Sequence, residues 1–418
     1  MKAVILAAGE SSRFRPLSDN RHKALISALG KPLVEHTVEE LRAAGVEEIV
    51  VVQGPDRSIE SEIGDSVDHY VVQEEPEGMG HALEQAREHL DDRFLVLTPY
   101  RARASQFFQP MIEKAEEEDA ETVFVSTPTS TPEKYGILEL DEDGKAVDLV
   151  EKPDPEDAPG DQKVVGMYLL SMNFFDYLDD VEEWEYQFED ALSDQMKDRP
   201  ASVLKIDQET NSIKYPWDLF SVVEELMDGK EQHISDKADI AGSAIIDGPV
   251  TVRKGAKIYE NAVVRGPAYI GEDVTVGNNA VIRDHSVLES GVTVGANSEV
   301  ARSVFQPDSS MHSGYVGDSI IGRNSSLGAG TITANRNFRE DGERPEIDSK
   351  LIAKDRREPT GRTSMGAIIG ENVDIGVNCS IMPGVQIGSD SRIGPGTNVM
   401  KNVGEEKTFY ARQDTVEK

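Results

Sequence analysis

The chain has 418 residues, enough for two domains or more, and an apolar fraction of 38%, enough for a sizeable core. Asp and Glu number 78 against 43 Lys and Arg, a net charge of -35 spread along the whole chain. Such a charge excludes general nucleic-acid binding, which needs a basic face. It suggests the solvated acidic surface of a halophilic protein, whose self-repulsion salt screens. Any site for a phosphorylated ligand must then be a local basic island. Cys379 is the only cysteine, which excludes an intrachain disulfide and fits a reducing cytoplasm. The opening run MKAVILAAGE is too short for a signal peptide or a membrane span, and no other stretch reads as one. No membrane partner is expected.

Residues 2–8 read as a strand and Gly9–Pro16 as a loop. Pro32 to Ala44 reads as a helix, with proline at its start and Gly45 at its end. Glu48–Gln53 is the next strand. This order predicts a doubly wound α/β domain, whose ligands sit at the carboxyl ends of the strands. The run Glu116–Asp119 reads as a solvated helix face, and Asp218 as a helix N-terminal residue near Pro216. Residues 229–239 are polar and read as a linker.

A different period begins at Ile240. Every sixth residue is aliphatic: Ile240, Ile246, Val252, Ile258, Val264, Ile270, Val276, Ile282, Leu288, Val294 and Val300. Four residues after most of these the side chain is small, as at Ala244, Ala256 and Ala262. A period of six is neither helical nor simple strand alternation. It predicts a hexapeptide coil, with three flat sides per turn, the aliphatic residue inward and the small one at the corner. The register jumps after Val300 and resumes at Tyr315, Ile321 and Leu327. A charged excursion from Asn335 to Met365 interrupts it, and it continues from Ile369 to Val399. The expected organisation is an α/β domain over 1–228, the linker, a coil domain over 240–403 and an arm over 404–418.

In the first loop, LAAGESSRFRPLSDNRHKAL, backbone N–H groups of a tight turn suit a triphosphate, and Arg13 and Lys23 add fixed positive charge. This stretch resembles the sugar-1-phosphate nucleotidylyltransferase family. The resemblance continues in order over residues 1–228. It implies that Ala8, Gly9, Arg13, Lys23, Gln73 and Gly78 bind the nucleotide. It also implies that Gly136, Glu151, Lys152 and Gly166 bind the sugar and its phosphate. Ser11 stands for the family's second glycine and His22 for its proline. The family's Gly-Asp pair, whose Asp holds the catalytic Mg²⁺, is Pro99-Tyr100 here, and Ser212 lies nearest the second metal-binding acid. A phenol is a poor Mg²⁺ ligand, so no metal-binding residue is assigned. Nucleotide binding is expected to survive with weak or absent turnover, Mg²⁺ being needed only if this half is active.

In the second half, HSGYVGDSIIG and SSLGAGTITAN resemble the acetyltransferase half of the bifunctional glucosamine-1-phosphate acetyltransferase/N-acetylglucosamine-1-phosphate uridylyltransferase family. An amine must lose a proton to attack a thioester, and a histidine suits that step. The resemblance implies His312 as the base and Tyr315 and Asn335 as substrate contacts. It implies Arg283 and Arg302 on the sugar phosphate, with Arg357 and Arg362 as weaker candidates, and Arg412 on coenzyme A. Ser326 replaces a family asparagine, and Arg336 a tyrosine. The implied fold is a left-handed parallel β-helix, assembled as a homotrimer with acetyl-CoA between adjacent coil edges. The expected function is acetylation of a hexosamine 1-phosphate, coupled to a nucleotidylyltransferase-like domain. Two alternatives stand beside it: an active nucleotidylyltransferase using UTP or dTTP with an atypical metal site, and a non-catalytic trimeric regulator that binds sugar nucleotides.

Overall fold

The structure is a computed structural model and describes residues 1–207, 210, 213–339, 341–354 and 356–412. The chain divides into two compact units. One combines Met1–Glu10 with Leu33–Ser212; the other combines Ser11–Pro32 with Ile213–Lys418. No described helix is long and apolar enough to cross a membrane.

The first unit is built on a mixed sheet. Its strand order is Ser202–Lys205, Val123–Pro128, Gln162–Ser171, Arg93–Leu97, Lys2–Ala7, Glu48–Gln53 and His69–Val72. All neighbours on this path are parallel except Gln162–Ser171, which runs antiparallel to both of its own. The central strands are apolar at consecutive positions, and both alternating sets are buried: Ala3, Val4 and Ile5, or Ile49, Val50 and Val51. Burial of both sets means that both sheet faces are covered. On one face the helices Met79–Ala86, Phe174–Asp180 and Gln187–Asp198 pack into a core with Val4, Val50, Phe94 and Tyr168. The predicted elements appear with trimmed ends, a strand at Lys2–Ala7, a helix at Leu33–Ala43 and a strand at Glu48–Gln53. Glu116 and Glu117 are exposed at the end of the helix Ser105–Glu117, as a solvated face requires.

The second unit is a parallel β-helix with three sheets. Ile240, Ile258, Val276 and Val294 stack in one sheet, Val252, Ile270 and Leu288 in the next, and Ile246, Val264, Ile282 and Val300 in the third. The inward residues form one continuous core from Val250 to Val403. Beyond Val300 the inward residues are Phe305, Met311, Val316, Ile321 and Leu327. Some coil sides there have five residues instead of six, which is why the sixfold period fails. Val316, fully buried, takes the inward place expected for Tyr315, and Tyr315 is left half-buried on the outside.

The coil also extends past the expected limits. His233–Ile234, within the expected linker, already pairs with Thr251 and Val252. Thr408–Phe409, within the expected arm, pairs with Arg392 and Ile393. The helix Asp218–Met227, read as part of the first domain, falls in the second unit. The excursion forms a hairpin of Asp348–Lys350 and Arg357–Pro359. It folds back through Ser349, whose hydroxyl donates to the Gly384 carbonyl at 2.9 Å.

Candidate active sites

Four of the residues singled out in the coil half come together. Arg283 ends the strand Val281–Arg283, and Arg302 follows the strand Glu299–Ala301 directly above it. Arg283 donates through Nε and Nη2 to Glu299 Oε1, at 2.9 and 2.6 Å, and also contacts Asp284. Arg302 grips Asp318 with two hydrogen bonds, Nε to Oδ1 at 2.7 Å and Nη2 to Oδ2 at 2.9 Å, and reaches Asp284 at 3.2 Å. Asn335 donates to Asp318 Oδ2 at 2.5 Å and to the Tyr315 hydroxyl at 3.1 Å. The repeat explains the convergence. Asp284, Arg302 and Asp318 each follow a strand of one sheet on successive coils, and each turns the corner with positive φ. Tyr315 lies over Gly317, where an added Cβ would stand 2.3 Å from the hydroxyl. The bond from Asp318 raises the Arg302 guanidinium further, against the opposing effect of burial.

His312 lies three residues before Tyr315, at the corner between Ser310–Met311 and Gly314–Gly317, with its side chain exposed. Its N–H bonds the Leu327 carbonyl at 2.9 Å, which fixes the backbone of that corner. Arg412 is exposed beyond the last strand and is not part of the network within one chain. Arg357 is exposed on the hairpin. Arg362 instead packs its guanidinium over the Phe220 ring, 4.9 Å from its centroid, with Glu224 at 3.8 Å. Asp318 and Glu299 were missed in the sequence. Their signal was the coil spacing itself, which places them beside the two arginines.

The loop bearing Arg13 and Lys23 belongs to the second unit, where Ser11–Pro32 lies along one coil corner. Glu289 accepts the Gly30 N–H at 2.8 Å, Arg21 bonds Glu371 at 2.5 Å, and the Ser389 N–H bonds Asp19 at 3.0 Å. Burial pushes the Glu289 carboxyl up to about 8, while the N–H groups of Gly30 and Leu29 pull the other way. Ser11 takes the left-handed conformation (φ 57) that favours glycine. Its hydroxyl accepts the Lys23 N–H at 3.2 Å, and His22 Nδ1 accepts the Ala24 N–H at 3.2 Å. Both departures from the signature are thus accommodated by local hydrogen bonds. Arg13 is exposed, and the Lys23 ammonium donates to the Ile213 carbonyl at 2.9 Å. Asp218 opens its helix and accepts the N–H groups of Lys214 and Tyr215, both at 2.7 Å; burial raises its carboxyl to about 6. Ser212 lies outside the described residues.

In the first unit, Ala8 and Gly9 follow the strand Lys2–Ala7. Gln73 is buried and bonds the Gly78 carbonyl at 3.2 Å and His81 Nδ1 at 3.1 Å, tying down the entry to the helix Met79–Ala86. Gly78 permits a close approach, but of the Glu185 backbone: an added Cβ would meet its carbonyl oxygen at 2.6 Å. Gly136 and Glu151 are cross-strand partners, and Glu151 pairs with Lys152 at 2.6 Å. Lys152 also reaches the Tyr186 hydroxyl at 3.3 Å. Beside this pair, burial pushes the Glu189 carboxyl up to about 7, with Glu151 adding to the rise. Tyr186 and Glu189 were missed, since neither carries a motif.

The turn after Arg93–Leu97 reads Thr98, Pro99, Tyr100, Arg101. Its donor set does not fit Mg²⁺, which asks for carboxylate and water oxygens. Among the described residues no three His, Cys, Asp or Glu stand together to hold a metal ion.

The nucleotidyl transferase family matches residues 2–211, and the bacterial transferase hexapeptide family matches residues 267–302 and 366–401. The chain is 37% identical to "Bifunctional protein GlmU" of Methanococcus maripaludis, covering 100% of this chain and 98% of that one. It is 31% identical to "Bifunctional sugar-1-phosphate nucleotidylyltransferase/acetyltransferase" of Sulfurisphaera tokodaii, covering 98% and 100%. "Low-salt glycan biosynthesis nucleotidyltransferase Agl11" of Haloferax volcanii is 28% identical over 61% of this chain and 74% of its own.

Proposed function

Since the chain belongs to the family of bifunctional GlmU proteins, we propose that its coil half acetylates a hexosamine 1-phosphate, such as glucosamine 1-phosphate, from acetyl-CoA. The observation that carries this reading is the network of Arg302, Asn335 and Tyr315 around Asp318, which Asp284 links to Arg283. Residues up to 52 positions apart meet there on successive coils, one corner from His312. The amine nitrogen attacks the thioester carbonyl; the new C–N bond forms and the C–S bond breaks. His312 takes the amine proton and passes it to the departing sulfur, which leaves as the coenzyme A thiol. Arg283 and Arg302 hold the sugar phosphate. Asp284 and Glu299, with side chains 46% and 41% exposed, yield to the phosphate oxygens, while Asp318, 3% exposed, stays as the fixed partner of Arg302.

The first half, in this reading, takes UTP and the acetylated sugar phosphate toward UDP-N-acetylglucosamine, with weak turnover because Tyr100 stands where a metal-holding acid is needed. A cytoplasmic, salt-adapted homotrimer completes the picture, with Arg412 reaching coenzyme A. Ile245 and Ile332, both exposed on the sheet that carries the network, support such an assembly. The test pairs two assays on the purified protein in high salt. One supplies glucosamine 1-phosphate with acetyl-CoA and reads thiol release. The other supplies N-acetylglucosamine 1-phosphate with UTP and Mg²⁺ and reads pyrophosphate. Thiol release above background supports the reading; its absence at every salt concentration sinks it. Pyrophosphate release at ordinary enzymatic rates would overturn weak turnover in the first half.

A further inference from the structure

Four side chains of the coil form a ladder along one corner. Glu289 follows the strand Ser286–Leu288 and Gln306 follows Val304–Phe305; Glu371 stands two residues past Ile368–Ile369, and Ser389 two past Gln386–Ile387. All four strands belong to one sheet. The segment Ser11–Pro32 runs along this ladder in the opposite order. Its Pro16 carbonyl accepts the Ser389 hydroxyl at 3.3 Å, and Asp19 Oδ2 accepts the Ser389 N–H at 3.0 Å. Arg21 meets Glu371 at 2.5 Å, Ser27 meets Gln306 and Gly30 meets Glu289. Tyr269, one coil earlier, closes the end: a Cβ added to Gly30 would stand 2.3 Å from its hydroxyl. The four coil residues are buried, so water does not compete freely for these rungs.

Arg13 and Lys23 lie among the rungs. Arg13 sits in the turn Ser12–Phe14, three residues before Pro16, and Phe14 beside it is fully buried. Lys23 opens the turn Lys23–Leu25, two residues after Arg21, and Ala24, Leu25 and Ile26 behind it are buried. A free loop would lose much entropy in bringing two cations to one triphosphate. A loop already fixed to the coil loses little when the ligand arrives.

We propose that Glu289, Gln306, Glu371 and Ser389 are positioning residues for nucleotide binding, through which the coil holds Arg13 and Lys23 in place for the triphosphate of UTP. The coil then serves both halves of the protein. The inference rests on the reading of Arg13 and Lys23 as triphosphate-binding residues. Such coupling is reciprocal: the ladder tightens UTP binding, and bound UTP tightens the ladder.

The experiment uses the full chain in high salt. UTP is titrated by calorimetry into the native protein, Glu371→Arg, and the double variant Arg21→Glu with Glu371→Arg. Acetyl transfer to glucosamine 1-phosphate is assayed on each. Glu371→Arg should weaken UTP binding at least about tenfold and leave acetyl transfer within about twofold of native. Acetyl transfer is spared because its network is borne by another sheet. The double variant, which restores an opposite-charge pair, should regain most of the lost affinity. In the native protein, UTP should slow amide exchange at Ser27, Gly30 and Ser389, whose N–H groups bond across the ladder. That measurement needs no variant to fold. Unchanged UTP affinity in a Glu371→Arg protein that melts like the native one would overturn the positioning role and leave the nucleotide reading intact. So would unchanged exchange with UTP bound, or a double variant no better than Glu371→Arg alone. Equal loss of UTP binding and acetyl transfer would make Glu371 a merely structural residue. No UTP binding by the native protein would overturn the reading of Arg13 and Lys23 itself.

Discussion

Ser27 and Gln306, 279 residues apart, exchange two hydrogen bonds: the Ser27 N–H donates to Gln306 Oε1 at 3.0 Å, and the Gln306 amide donates to the Ser27 carbonyl at 2.8 Å. Both residues are buried, so this side chain satisfies both backbone groups of one loop residue away from water. Gln306→Ala leaves that pair unsatisfied. With each of the two orphaned buried groups costing about 1–3 kcal/mol, the second unit should lose about 2–6 kcal/mol. Chemical denaturation followed by a probe in the coil would measure it. A midpoint equal to the native one would show that water replaces the amide at no cost.

Glu289 gives the same loop a pH dependence. Its folded carboxyl is raised to about 8 by burial, above an unfolded value of about 4.5. The folded state therefore holds a proton that the unfolded state releases. Its stability is undiminished below about pH 4.5, falls as pH rises toward about 8, and then levels off. General acidic repulsion also grows with pH, so the readout is the difference between native protein and Glu289→Gln. That variant should show a shallower fall between pH 5 and 8, and parallel curves would contradict the assignment.

Asp318 joins Arg302 to Asn335 with a side chain almost wholly buried. Asp318→Asn removes the charge and leaves Arg302 facing Asp284 alone. Breaking a fully buried pair costs about 3–5 kcal/mol; with Arg302 28% exposed, about 2 kcal/mol is expected here. Acetyl transfer should fall further than stability does, because Arg302 and Asn335 lose their common anchor. Steady-state kinetics beside a melting curve separates the two effects. Equal loss in both would reduce Asp318 to a structural residue.

Gly317→Ala places a methyl 2.3 Å from the Tyr315 hydroxyl. The ring must swing away and surrender its bond to Asn335. The KM for the hexosamine phosphate should rise at least about tenfold, the scale of one lost hydrogen bond, with kcat affected less. An unchanged KM would remove Tyr315 from the sugar site.

The sequence made the coil legible because its core repeats locally: a residue at every sixth position must point inward wherever the sides are six long. It failed at Phe305, Met311 and Val316, where five-residue sides shift the inward position and release Tyr315 to the surface. The arginines, Tyr315 and Asn335 were found from motifs, but their partners Asp318 and Glu299 emerge only when coils stack. The splint of residues 11–32 along the coil corner left no local trace. Glu289 and Gln306 carry no motif, and their hydrogen bonds, across 259 and 279 positions, have no period.

Acetyl transfer by the coil half depends on proton transfer by His312. The measurement is the rate of coenzyme A thiol release from acetyl-CoA and glucosamine 1-phosphate by native protein and by His312→Ala, with melting curves for both. Cys379, the only cysteine, is fully buried and adds little background to a thiol reagent. His312→Ala should fold like the native protein and lose about 10²–10⁴ in kcat, the usual contribution of a positioned base. Thiol release at the native rate in His312→Ala would contradict the account.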